Sequence, residues 1–341
     1  MLNSVDFSGR PFHFIGIGGI GMSALAYVLT KRKLPVSGSD VRLSHITERL
    51  EELGAHIFDR QDASNLEFFK SQADLILAGA ISLASVNGAT SASPAKSRLS
   101  NRKSTPILPQ VVCSTAISAA NPEYRAAIEL GCPIFHRSDI LAALIADYQS
   151  IAVAGTHGKT TTSSLISYML LMAGLDPTII VGGEVCAWEG NARQGQSKYL
   201  VAEADESDGS LVKFSPYIGI ITNIELDHTD HYSSLEQVVE TFQTFSSHCH
   251  TVIGSIDCET VRDRIKPSIS YSLHAASEAD YTASQIFYDA EGTIAQIYER
   301  GQLLGQLKIK LLGEHNLSNA MAAVAVGRLL GLEFPVIAAA I

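Results

Sequence analysis

Short apolar runs alternate along the chain with longer runs of helical period. The short runs read as buried strands, and their alternation with helices predicts an α/β fold built on parallel sheets. PFHFIGI leads into the helical stretch MSALAYVLT and then into a second strand-like run, LPVSGSD. SHITERLEELG predicts a helix capped by Ser44 and stopped by Gly54. NPEYRAAIELG predicts another, with Asn121 as cap, Pro122 in the first turn and Gly131 past the end. CPIF follows as a strand, and SDILAALIADY as a helix capped by Ser138. A fresh cycle starts at SIAVAGTHGKTTTSSLISYMLLMAG. The expected boundary therefore lies near 147–150, with domains at 1–148 and 149–341.

Two stretches depart from this rhythm. Residues 79–110 are rich in Ser, Ala and Thr, carry four basic residues and show no apolar period. They are expected to be a mobile, solvated insertion. ILAGAIS (76–82) and VVCSTAIS (111–118) echo each other on its flanks, and the continuation ANPEYRAAIE favours the second as the sheet strand. The final run, LEFPVIAAAI, starts a helix at Pro335 and stops without a cap or polar tail, so a further domain is expected beyond it.

Composition narrows the classes. With 46% hydrophobic and 18% charged residues, the 341-residue chain is ordinary for a globular protein. A net charge of −10 argues against a duplex nucleic acid partner but not against nucleotides, which local amides can hold. No run approaches the roughly 18 apolar residues of a membrane span, and MLNSVDFSGR has no apolar signal core. The five cysteines make no C-x-x-C pair and read as reduced thiols of a cytoplasmic protein.

Two glycine loops carry the chemistry. In HFIGIGGIGMSA, Gly16, Gly18 and Gly21 have G-x-G-x-x-G spacing, and Asp40 follows Gly21 by 19 residues at the end of the second strand-like run. This is a dinucleotide fingerprint, and it leaves open whether NAD or another diphosphate is held. IAVAGTHGKTT is more specific: Gly155, Gly158, Lys159 and Thr160 lie between a buried strand and a long helix. Backbone N–H groups there can cradle phosphates, with Lys159 at the β/γ-phosphates and the Thr160 hydroxyl at Mg2+. Val153 stands where the usual motif has its first glycine. A lysine at a loop–helix junction is expected to add little to packing, so its loss should cost nucleotide binding rather than stability.

Two further strand ends carry acids or imidazoles. KYLVAEADESD ends at Glu203 and Asp205, and YIGIITNIELDH at Asp227 and His228. In open α/β sheets ligands sit beyond the carboxyl ends of the strands. Thr160, Glu203 and His228 are therefore expected to converge, with hard oxygens and one imidazole suited to Mg2+. Loop solvation is the alternative for Glu203 and Asp205. A zinc site among His228, His231, His248 and His250 is a weaker alternative, the last three reading as surface residues. Asn316 and Asn319, three apart near a helix start, either contact a base or neighbouring loop or form a capping pair.

AGTHGKTTT, AEADESD, ITNIELDH and GEHNLSNAMAA, in that order, resemble the ATP-domain motifs of the Mur ligases. These are ATP-dependent amide-bond-forming enzymes of peptidoglycan precursor synthesis. HFIGIGGIGMSALA with SGSD is most similar to the alanine-adding branch, and the absence of Lys from 214–265, where some members carry a carbamylated lysine, agrees. The resemblance implies a Rossmann-like parallel-sheet N-terminal domain, a P-loop-type ATP-binding α/β domain, and a C-terminal domain absent from this chain. It implies that the first loop holds the diphosphate of UDP-N-acetylmuramate rather than NAD, through Gly18, Gly19, Ile20, Gly21, Met22 and Ser23. Asp40 would lie near the uridine, and Ser114, Thr115 and Ala116 near the sugar. ATP would be held by Gly155, Thr156, His157, Gly158, Lys159, Thr160, Thr161, Asn316 and Asn319. Lys159, Glu203 and His228 would be catalytic, with Thr160 and Glu203 on one Mg2+ and His228 on a second. The implied reaction joins the lactyl carboxylate to L-alanine, slowly in a chain without the third domain. A non-catalytic nucleotide-binding fragment and an NAD-dependent oxidoreductase are the rival readings.

Overall fold

A computed structural model describes residues 4–69 and 108–341. The expected insertion at 79–110 lies outside the described residues as far as position 107. The chain forms two compact units, Met1–His136 and Arg137–Ile341.

The first unit is built on a five-stranded parallel sheet in the order β3-β2-β1-β4-β5. The strands are β1 (Phe12–Ile15), β2 (Val36–Ser39), β3 (His56–Phe58), β4 (Gln110–Cys113) and β5 (Ile134–His136). Phe12 registers with Val36 on one side and Gln110 on the other. β1 and β2 are buried along their whole length, as inner parallel strands covered on both faces are. β4 is VVC of the second echo, paired directly to β1. The order reverses between β1 and β4, so the crevice favoured for ligands opens at their carboxyl ends.

Among the described residues, α1 (Ile20–Lys31), α2 (His45–Glu52) and α3 (Pro122–Leu130) join these strands. Ser44 caps α2 in a reciprocal box with Thr47. Asn121 caps α3 by accepting from the Tyr124 N–H at 3.1 Å, and Gly131 ends it in the left-handed conformation.

Helix α4 (Arg137–Asp147) opens the second unit. It begins directly from β5, which leaves no extended residue for Ser138 to cap from; Ser138 lies inside the helix and its hydroxyl accepts from Lys213 Nζ at 3.0 Å. α4 packs on β6 (Gln149–Ala154) and on a helical turn at Ser210–Lys213, so the compact division falls at 136/137 while the strand–helix rhythm restarts near 147–150.

The second sheet is mixed, not all-parallel. Its parallel members are β6, β7 (Thr178–Val185), β9 (Tyr199–Glu203), β10 (Ile218–Ile221), β11 (Thr251–Ser255), β12 (Ile269–Ser272) and β13 (Tyr281–Asp289). Antiparallel strands extend both edges: β8 (Gly190–Arg193) beyond β7, and β14 (Gly292–Glu299) and β15 (Gln302–Ile309) beyond β13. Helices α5 (Lys159–Met172), α6 (Leu235–His248), α7 (Glu314–Leu329) and α8 (Phe334–Ala340) complete the unit. Ala320 to Val326 of α7 are fully buried all round, so α7 is a core helix. It packs on α5, and the shared core includes Ile151, Val153, Ile166, Met169, Val201 and Ile220.

All five cysteines are free thiols, and burial pushes the Cys249 thiol up to about 12. Among the described residues no helix is long and apolar enough to cross a membrane.

Candidate functional site

In the first unit the loop Gly16–Gly19 leaves β1 and enters α1, with Gly19 as the helix N-cap. The Gly18 N–H donates to Asp40 Oδ2 at 2.9 Å, and Asp40 Oδ1 accepts from the Arg42 N–H at 2.9 Å. Asp40 therefore braces the glycine loop with both oxygens. The approach is close enough that a Cβ on Gly18 would lie 2.8 Å from Asp40 Oδ2.

Gly18, Gly19, Ile20 and Gly21 form the turn and first helical residues, where N–H groups lack intrahelical acceptors. Met22 and Ser23 follow inside α1 and are buried; Ser23 Oγ donates to Ile20 O at 3.0 Å and its N–H to Gly19 O at 2.8 Å. The turn Ser114–Ile117 follows β4, and Ile117 packs against Gly16, which sets Ser114, Thr115 and Ala116 beside the loop.

The second loop, 155–158, joins β6 to α5 and is braced by the exit of β10. Thr156 N–H donates to Asn223 O at 3.0 Å, and His157 N–H to Asn223 Oδ1 at 2.8 Å. Thr222 Oγ1 donates to His157 O at 2.7 Å, and Glu225 N–H to Thr156 Oγ1 at 2.9 Å. Thr156 and His157 thus bind the loop to its own scaffold, and the amides open to a phosphate are those where α5 begins, from Gly158 to Thr161. Gly155 (φ +137) and Gly158 (φ +83) hold conformations that disfavour any side chain. A Cβ on Gly158 would meet Asn319 Oδ1 at 2.6 Å, so α7 lies directly against the loop. Asn319 is the neighbouring-loop contact of the pair. Asn316 turns back, donating from Nδ2 to Leu312 O at 2.8 Å, which ties the first turn of α7 to the chain entering it.

Lys159 Nζ donates to Gly155 O at 2.7 Å, Thr156 O at 3.2 Å and Glu206 Oε1 at 2.9 Å. Thr160 Oγ1 donates to Glu203 Oε1 at 3.1 Å, and Glu203 Oε2 accepts from Gly182 N–H at 2.8 Å. His228 enters through Glu206, with Nε2 3.7 Å from Glu206 Oε1, rather than through Thr160 or Glu203. Asp205 is turned away, paired to Arg137 at 3.1 Å. Asp227 is exposed and bonds the His228 N–H at 2.7 Å.

Glu206 is the residue that sequence spacing missed. It is 1% exposed, and burial pushes its carboxyl above the usual range while Lys159 pulls it down. Its position three residues past β9, in the acidic turn DESD, gives no sequence signal of burial.

The donors fit Mg2+ with nucleotide phosphates. A hydroxyl and a carboxylate are hard oxygens, and Mg2+ needs only one or two protein carboxylates because it keeps waters and phosphate oxygens. No group of three or more His, Cys, Asp or Glu suited to a metal occurs among the described residues, so nothing there supports the four-histidine zinc alternative. His231, His248 and His250 are exposed.

Residues 11–149 match the Mur ligase family catalytic domain, and residues 153–327 match the Mur ligase middle domain. The chain belongs to the Mur ligase family. Both glycine loops of this Mur ligase fall inside the matched domains, which leaves the NAD-dependent oxidoreductase reading without support. A UDP-N-acetylmuramate–L-alanine ligase of Nostoc punctiforme is 68% identical over 338 residues, covering 99% of this chain and 66% of that protein. One from Gloeothece citriformis is 62% identical, covering 100% and 68%. The crystal structure of UDP-N-acetylmuramate-alanine ligase from Thermotoga maritima is similar with a TM-score of 0.76 at 26% identity, covering 97% of this chain and 67% of that one. The chain thus spans about two thirds of the length of these relatives.

Proposed function

We propose that the chain acts as an ATP-dependent UDP-N-acetylmuramate–L-alanine ligase of peptidoglycan precursor synthesis. The observation that carries this reading is the placement of Lys159 and Thr160 at the amino end of α5 with Glu203 of β9 against them. The names of relatives at 62–68% identity supply the substrate pair.

In the proposed reaction an oxygen of the lactyl carboxylate attacks the γ-phosphorus of ATP, giving an acyl phosphate and ADP. The amine of L-alanine then attacks the acyl carbon, phosphate leaves, and the amine proton passes to solvent. Carboxylate and triphosphate repel each other, so charge neutralisation is what the protein must supply. Lys159 and the amides from Gly158 to Thr161 would hold phosphate oxygens. Thr160 and Glu203 would hold one Mg2+ and His228 a second, and the metal would neutralise charge on the transferred group. In the first unit, the amides of Ile20 and Gly21 at the start of α1 would cradle the diphosphate of the sugar nucleotide, with Gly18 and Gly19 letting it approach the backbone closely and Ser114–Ala116 on the sugar side. Asp40 would act there through the loop it braces.

Phosphate release, measured with UDP-N-acetylmuramate, ATP and each amino acid in turn, tests the reading. Release that depends on L-alanine is expected. Release that depends on a different amino acid would redirect it, and binding of both nucleotides without turnover would assign the chain a binding role.

A further inference from the structure

Lys159 has three N–H donors, and all three end on protein acceptors. Two are neutral carbonyls. The third is the Glu206 carboxylate, whose charge makes it the stronger acceptor. A phosphate oxygen can take a Lys159 N–H only by displacing one of the three.

The turn that carries this carboxylate is held from several sides. Arg137 pairs with Asp205 at 3.1 Å and Asp208 at 3.4 Å, which flank Glu206. The Tyr232 hydroxyl donates to Glu206 O at 2.7 Å. The side chain is buried, and its Oε2 has no hydrogen-bond partner among the described residues. An unsatisfied buried carboxylate oxygen is costly, and packing alone gives no reason to place one beside the phosphate loop.

We propose that Glu206 is a positioning residue for Lys159: it holds the ammonium down on the loop carbonyls, and an incoming phosphate takes the lysine from it. The inference rests on the phosphate-loop reading of residues 155–161. A triphosphate carries more charge than one carboxylate, so the exchange runs toward the nucleotide. The carboxylate left behind keeps His228 Nε2 within 3.7 Å, which limits the cost of parting the pair. Nucleotide affinity is then a difference between two ion pairs, smaller than an unheld lysine would give.

Calorimetric titration with ATP in EDTA decides it, because no metal role of Glu203 or His228 enters. Glu206→Gln removes the charge and keeps the shape; Glu206→Asp keeps the charge but withdraws it from Nζ. Both variants should bind metal-free ATP roughly five- to tenfold more tightly than wild type, within the range of couplings between contacting groups. Structural damage would not raise affinity. Unchanged or weaker binding by variants that melt as wild type does would overturn the proposal. A gain in Glu206→Gln alone would also overturn it, since general repulsion of phosphate would then suffice. Should Glu206→Gln fail to fold, Glu206→Asp alone decides. Wild type without ATP affinity would overturn the phosphate-loop reading itself, and this inference with it.

Discussion

Lys159 cannot be removed without stranding Glu206. The pair is 2.9 Å apart with side chains 13% and 2% exposed, so Lys159→Ala leaves a buried carboxylate facing two carbonyl oxygens. Breaking such a pair costs roughly 3–5 kcal/mol, against the expectation from sequence that stability would hardly change. Lys159→Ala should lose ATP affinity and also melt several degrees lower, and Lys159→Ala with Glu206→Gln should recover part of the melting loss. The pH dependence has a definite sign. Burial raises the folded-state Glu206 carboxyl above its ordinary 4.5, so ionising it works against the fold as pH rises through that raised value. The melting gap between Lys159→Ala and wild type should therefore be widest at neutral pH and narrow in acid. Gly155→Ala tests the loop separately: its Cβ would sit within 1.9 Å of Thr222 Oγ1, so the variant should be destabilised and lose ATP binding, read by melting and calorimetry. At this scale Lys159, Thr160 and Glu203 were legible because they stand where a strand or loop meets the next element. Glu206 was not, because the turn that carries it is fixed by Arg137 on Asp205 and by the Tyr232 hydroxyl on its backbone oxygen, partners that no local spacing connects to it.

At the scale of elements, the parallel strands and their helices were readable from apolar runs bounded by caps, and the antiparallel extension was not. β13 to β15 carry a turn signal in Arg300–Gly301, both at positive φ, a two-residue turn of the kind that closes hairpins. Its flanks are polar enough to read as loop, since the hairpin has one face on the core and one in water. Asp280 ties this hairpin to the parallel core: Oδ2 accepts from the Ser270 N–H at 2.9 Å, and Oδ1 from Arg300 Nε at 3.1 Å. Burial works to raise its carboxyl, but the bonds from Ser270 and Arg300 prevail and hold it below its ordinary 3.8. A carboxyl lowered in the folded state stabilises above its unfolded value, and that contribution is lost as pH falls through the lowered one. Asp280→Asn should cost roughly 1–2 kcal/mol at neutral pH, and the difference from wild type should close in acid as pH falls through that lowered value. A gap that persists in acid, seen in urea melts, would assign the effect to packing instead.

At the scale of the whole molecule, each proposed nucleotide site is built within one compact unit. The first loop is braced by Asp40 and neighboured by β4's exit turn, all in Met1–His136; the second is braced by Thr222 and Asn223 and served by Glu203, Glu206 and Asn319, all in Arg137–Ile341. Sites with no shared partner should fail independently. Gly18→Val would drive side-chain atoms into Asp40 and should abolish UDP-N-acetylmuramate binding while leaving Mg·ATP affinity within about twofold. Thr160→Val keeps the shape but removes the hydroxyl that meets Glu203, and should weaken Mg·ATP while leaving the sugar nucleotide bound. Both should abolish L-alanine-dependent phosphate release, because acyl transfer needs the carboxylate and the phosphoryl group held together, a gain worth roughly 10⁵ M or more in effective concentration. Loss of both affinities from either single change, in variants that remain folded, would mean that the two units bind as one. The same assay run beside the Nostoc punctiforme relative, of which this chain spans 66%, measures what the rest of that protein adds to alanine transfer. Intact binding with slower ligation is the expected result if the groups that position the amine lie in the part of that protein which this chain does not span. Equal rates would place the amine's positioning groups within these 341 residues.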